Sequence, residues 1–183
     1  MKRVVLIGPE CSGKTTLAAF LAARFDAPWT PEAARRFAET TATPLSVHSV
    51  GPIAELSMAL EDEAVASARA DSPADARTSS PALLIRDTDL VSTVVYSYHY
   101  YGVCEPWIEA AAMQRRADLY LLCAPDLPWT PDGIRDRPDA REALLAEFAE
   151  RLAMMRATVV PISGVGTARS AAAEQALRTL LGR

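Results

Sequence analysis

The residues best suited to chemistry stand near the N-terminus. Gly8, Gly13, Lys14 and Thr15 hold the spacing G-x-x-x-x-G-K-T within the run Gly8, Pro9, Glu10, Cys11, Ser12, Gly13, Lys14, Thr15 and Thr16. Glycines let a backbone bend round an anion with its N–H groups turned inward. A helix starting near Gly13 adds the positive end of its dipole. Lys14, expected to face solvent within the loop, supplies a mobile charge for β- and γ-phosphates, and the Thr15 hydroxyl takes a magnesium position. The aliphatic run VVLI before the loop and the helical pattern after it give the strand–loop–helix setting such a phosphate loop needs. A glycine turn in a dinucleotide-binding unit is the structural alternative, but it gives no reason for Lys-Thr at the helix start.

Three further stretches carry candidate groups. In LLIRDTDL, Asp87 ends a strand pattern, where an acid can hold magnesium directly or through water, and Asp89 is placed to cap the next helix. In WTPEAARRF, Glu32 begins a helix and could accept the proton of a substrate hydroxyl, or simply be a first-turn acid that the helix dipole favours. Arg35 shares its face. In DLPWTPDGIRDRPDAR, Pro128, Pro131 and Pro138 break helix, Asp132-Gly133 makes a turn, and Arg135, Arg137 and Arg141 stand along the segment. A lid over about residues 126–141 could close Arg135 over a transferring phosphoryl group. The alternative is a solvated turn whose arginines pair with Asp126, Asp132, Asp136 and Asp139.

Aromatics cluster in YSYHYYG, where Tyr96 and Tyr100 share a face with Asp89 and Thr93 and either flank a substrate ring or pack the core. Trp129 covers a substrate or pins the lid. His48 and His99 have no partner acid at a diagnostic spacing and read as surface or helix-end residues. Cys11, inside the phosphate loop, suggests oxidation sensitivity rather than catalysis, since phosphoryl transfer needs no thiol.

The elements that must position these groups alternate. Aliphatic runs at Arg3–Gly8, Ala27–Thr30, Ala82–Arg86, Leu119–Cys123 and Ala157–Ile162 predict strands. Gly13–Phe25, Gly51–Arg69, Asp89–Tyr100, Ala140–Met155 and Thr167–Leu181 predict helices, so the class is α/β, a parallel sheet covered on both faces. Ala70 to Pro81, rich in Ser, Pro and Asp, reads as an exposed loop, and residues 1–183 as a single domain. A net charge of -4 argues against a nucleic-acid surface. No apolar run approaches the roughly 20 residues of a membrane helix. A strand pattern from residue 3 leaves no room for a signal peptide. Three scattered cysteines make neither a disulfide framework nor a zinc site, and a reducing cytoplasm is expected.

GPECSGKTTL, PEAAR, IRDTDLVST and ADLYLLCAPDLPWTPDGIRD together resemble the nicotinamide-riboside kinase domain of NadR-type bifunctional proteins of NAD salvage. The resemblance implies a P-loop kinase fold: a three-layer sandwich around a five-stranded parallel sheet of order 2-3-1-4-5, with a lid. It implies transfer of the ATP γ-phosphate, with Mg2+, to the 5′-hydroxyl of nicotinamide riboside. Gly8 to Thr16 would hold phosphate and, through Thr15, magnesium; Glu32 and Arg35 would face the ribose; Asp87 would sit by magnesium and the hydroxyl; Arg135 would come from the lid. Larger relatives add an adenylyltransferase domain and some a DNA-binding one. This chain opens on its first strand, so both are expected to be absent. Family members place an aromatic before the acid equivalent to Glu32, where this chain has Pro31, so the base must find Trp29, Tyr96, Tyr100 or Trp129. The expected partners are ATP and a small nucleoside, with no nucleic acid or membrane, and a homo-oligomer is compatible with the sequence. The rival readings are a P-loop ATPase serving as a nucleotide-dependent switch or binding module for a protein partner, and a kinase of another nucleoside.

Overall fold

The computed structural model describes residues 1–41, 44–70, 83–130 and 138–182. β1 (Lys2–Ile7) is the centre of the sheet, because its VVLI run is buried on both faces. β2 (Trp29–Thr30), β3 (Leu83–Asp87), β4 (Leu119–Cys123) and β5 (Val159–Ile162) complete a five-stranded sheet of order β2-β3-β1-β4-β5. Every pairing is parallel, with Leu6 beside Asp87 and Ile7 beside Leu122. This is the expected order, and it turns all strand C-termini to one edge, where ligands of open α/β sheets bind.

Helices cover both faces. Alternation along β1 sends Val4 and Leu6 one way and Val5 and Ile7 the other. Val4 and Leu6 join Leu17, Leu21 and Leu177 of α1 (Lys14–Phe25) and α7 (Gly166–Leu181). Val5 and Ile7 join Val50, Val94, Ile108 and Phe148, from α3 (Val50–Ala70), α4 (Leu90–Tyr101), α5 (Pro106–Gln114) and α6 (Arg141–Met154). α2 (Ala33–Thr41) follows β2 and packs on α3.

The sequence pattern missed α5, a nine-residue helix whose alanines carry no period and whose clearest signal is Pro106 at its first position. The third strand runs one residue beyond its expected end, so Asp87 lies inside it. Ala70 closes α3, and the rest of the expected loop to Pro81 lies outside the described residues. Among the described residues no helix is long and apolar enough to cross a membrane.

Candidate active site

The chain leaves β1 at Gly8 with a φ of 136°, so close to β4 that a Cβ would lie 2.5 Å from the Cys123 carbonyl oxygen. Only glycine fits both constraints. At Gly13, φ 76°, the loop turns into α1. Gly13 offers no capping side chain, which leaves first-turn N–H groups of α1 to an anion. Between them the Ser12 hydroxyl donates to the Pro9 carbonyl at 2.8 Å.

Lys14 is not solvent-facing as expected: it is 4% exposed. Its ammonium folds back to donate to the carbonyls of Gly8 at 3.0 Å and Pro9 at 2.7 Å. The cause is the loop itself, whose inward N–H groups turn carbonyls toward a charged donor on a long flexible stem. Thr15 donates its hydroxyl to Asp87 Oδ2 at 2.5 Å. Asp87 is 1% exposed. Thr88 follows with φ 69°, a strained value for a β-branched residue, and turns the chain from strand to helix. Asp89 is the cap the sequence suggested: Oδ1 accepts the Val91 N–H at 2.9 Å and Oδ2 accepts the Tyr120 hydroxyl at 2.9 Å. Burial pushes the Asp89 carboxyl above its ordinary range, and burial pushes the Tyr120 hydroxyl far upward, so Tyr120 stays a donor.

Glu32 is buried just beyond β2, the neighbour of β3, and its Oε2 lies 3.8 Å from Arg35 Nε. Glu10, in the phosphate loop, is 2% exposed and accepts the Tyr100 hydroxyl at 3.1 Å. Tyr100 therefore stands at the loop. Tyr96 stacks on it with ring centres 6.1 Å apart and meets Phe148 edge-on, so it belongs partly to the core. Trp29 is 38% exposed on the edge strand. The buried Trp129 Nε1 meets no hydrogen-bond partner among the described residues. Thr16 is exposed at the start of α1. Cys11 Sγ reaches the Thr130 carbonyl at 3.3 Å. Of the lid, residues 131–137 lie outside the described residues, Arg135 and Arg137 with them. Arg141 begins α6 and donates to the Leu127 carbonyl at 3.0 Å.

Sequence reasoning passed over three arrangements. Arg169 of α7 bonds the Ser12 carbonyl at 2.6 Å and Asp126 Oδ1 at 2.7 Å, so Asp126 has a partner on α7. A cation in the first turn of a helix opposes the dipole, and that was its signal. Glu61 of α3 is buried among Arg3, Arg86 and Arg115. His99 does have an acid, Glu147 of α6 at 3.0 Å, too far along the chain for any spacing to reveal.

Among the described residues, no group of three or more His, Cys, Asp or Glu could hold a metal. The Thr15 hydroxyl and Asp87 carboxylate are hard oxygens within 2.5 Å of each other. That donor set fits Mg2+, which keeps several waters and completes its shell with substrate phosphates rather than with a protein cage.

The profile of the AAA domain family matches residues 3–169. A NadR protein in complex with NR superposes on this chain with a TM-score of 0.81 at 24% identity, covering 100% of this chain and 51% of that one. A NadR protein in complex with NAD and AMP-PNP gives 0.77 at 22%, covering 100% and 50%. Thymidylate kinase from Ehrlichia chaffeensis gives 0.63 at 13%, covering 98% of both. The fold is thus one shared with these NadR chains and with thymidylate kinase, and the chain spans about half the length of the NadR chains it matches. No curated protein matches it significantly.

Proposed function

We propose that this chain, which belongs to the AAA domain family, is a cytoplasmic kinase that phosphorylates the 5′-hydroxyl of nicotinamide riboside with ATP, giving nicotinamide mononucleotide. The observation that carries the reading is the 2.5 Å contact of Thr15 with Asp87, set where the Lys14 loop opens at the sheet edge. It brings a phosphate-loop hydroxyl and a strand-end acid together as a divalent cation on a triphosphate requires. The shared fold with a NadR protein in complex with NR supports the acceptor. Free thiols at Cys11, Cys104 and Cys123 agree with a reducing compartment.

Gly8 to Thr16 cradle the phosphates, and Lys14 swings from its carbonyls to the γ-phosphoryl oxygens. Magnesium, when bound with ATP, neutralises charge on the β- and γ-phosphate oxygens. Asp87 and Thr15 would hold it. Glu32, buried just beyond β2, is the base for the acceptor, with Arg35 beside it orienting the ribose. The O5′–Pγ bond forms as the bond from Pγ to the β-bridging oxygen breaks. The hydroxyl proton passes to Glu32, and ADP leaves with the electron pair. Arg135 would steady the transferring group from the lid. Tyr96, Tyr100, Trp29 and Trp129 are the aromatics offered to the nicotinamide ring, where a good stack is worth about 1–3 kcal/mol.

The test incubates the protein with ATP, Mg2+ and, separately, nicotinamide riboside, uridine, cytidine and thymidine, with products read by mass spectrometry. Nicotinamide mononucleotide formation is the expected result. Phosphorylation of another nucleoside alone would keep the chemistry and discard the acceptor. If no nucleoside stimulates ATP consumption, the nucleotide-switch reading takes its place.

A further inference from the structure

We propose that Arg169 is a positioning residue for phosphate binding: it fixes the Ser12–Gly13 peptide so that the Gly13 N–H faces the anion. Arg169 stands in the first turn of α7 and is 4% exposed. Its Nη2 donates to the Ser12 carbonyl at 2.6 Å and the Ala124 carbonyl at 3.1 Å. Its Nη1 donates to Asp126 Oδ1 at 2.7 Å and the Gly164 carbonyl at 3.0 Å. Asp126 Oδ2 in turn accepts the Gly164 N–H at 2.5 Å. One guanidinium thereby joins the phosphate loop to the segments that follow β4 and β5.

The C=O and N–H of a trans peptide point in opposite directions. With the Ser12 carbonyl held outward on Arg169, the Gly13 N–H must point inward. Glycine itself does not enforce this, since it adopts either sign of φ with little penalty. A charge-assisted bond of this kind biases two arrangements by about 10- to 100-fold. Apparent affinity falls by the fraction of molecules left competent. Lysine at 169 would keep one donor for Ser12 but could not bridge the other partners.

The inference rests on the phosphate-binding part of the reading above, not on its acceptor, so the probe is inorganic tripolyphosphate with Mg2+. Calorimetric titration should give Arg169→Met a dissociation constant about twofold weaker than wild type at a temperature where both are folded, because the competent fraction falls from nearly all molecules to about half. Arg169→Lys should recover most of that loss. Arg178→Lys, on the same helix and paired with Glu174 at the surface, should match wild type. In 15N spectra of the wild type the Gly13 amide should move strongly on titration, and in folded Arg169→Met that response should shrink. A folded Arg169→Met that binds like wild type overturns the proposal, as does a wild-type Gly13 amide that does not respond, even if the methionine variant fails to fold. If wild type binds no tripolyphosphate, the phosphate reading falls as well. If it binds but no nucleoside is phosphorylated, only the acceptor is lost.

Discussion

Lys14 Nζ donates to the carbonyls of Gly8 and Pro9, so its removal acts on both the loop and the transfer step. Lys14→Ala should slow phosphoryl transfer by about two to four decades, some 3–5 kcal/mol of barrier, with the melting temperature lowered by only a few degrees. Saturating kinetics with a thermal melt on the same sample checks this, and undiminished turnover would remove the phosphate-loop reading. Glu32 and Asp87 separate differently. Glu32→Gln should lower kcat by about 10²–10⁴ for every accepted nucleoside and leave the magnesium dependence in place. Asp87→Asn should instead shift the magnesium titration to higher concentration. Reversed signatures would exchange the two roles. At this scale the residue types were legible because phosphate chemistry demands them at fixed spacing. Lys14's pose was not, since a motif specifies which donor is present but not where a flexible stem rests. Arg169 escaped because three of its partners are main-chain carbonyls, which leave no mark in a sequence, and its acid, Asp126, lies far off along the chain.

Doubly buried strands must be continuous aliphatic runs, which is why β1, β3 and β4 could be read almost to the residue. β2, with two paired residues, carries little of that signal, and α5 carries less. The junctions between elements hold the sharper predictions. Gly8→Ala would drive a Cβ to 2.5 Å from the Cys123 carbonyl oxygen at a φ of 136°. It should destabilise the fold by on the order of 1–3 kcal/mol, from strain and overpacking together, read as a lower urea midpoint. Asp118, just before β4, accepts the Arg3 N–H at 2.8 Å and Lys2 Nζ at 2.9 Å, tying the start of β1. Burial raises its carboxyl, but the Arg3 N–H and Lys2 outweigh that and hold it below the ordinary range. A depressed carboxylate stabilises the fold above its unfolded pKa, and that contribution is lost as pH falls through the folded one. Asp118→Asn should therefore cost about 1 kcal/mol at neutral pH, the two proteins converging in stability as the solution is acidified below the carboxylate range. Urea melts at several pH values decide it, and a pH-independent difference would mean that charge plays no part.

At the scale of the molecule, the sheet edge that carries Thr15, Asp87 and Glu32 is held from behind by a buried ion cluster. Glu61 of α3 has no exposed side-chain surface, and Arg86 of β3 is 2% exposed. They meet at 2.9 Å, and Arg86 also donates to the Ser57 hydroxyl at 3.1 Å. Arg3 of β1 reaches Glu61 at 2.9 Å, and Arg115, just past α5, reaches it at 3.2 Å. Four elements thus converge on one carboxylate, and the residue after Arg86 is Asp87. The cluster joins α3, α5, β1 and β3 across sequence separations no local pattern encodes, which is why composition foretold the layers but not what locks their register. A buried pair adds little net stability when complete, because desolvation offsets attraction, but losing one partner strands the other. Glu61→Gln should therefore destabilise by about 3–5 kcal/mol, chiefly by leaving Arg86 buried without its counter-charge. Arg115 keeps access to water and should recover most of its loss. Replacing both Glu61 and Arg86 with methionine should lose distinctly less than Glu61→Gln alone. Urea unfolding followed by tryptophan fluorescence measures all three proteins. If the double variant is the weaker one, the cluster stabilises the fold outright rather than merely punishing its own disruption, and Asp87 owes its position to that attraction.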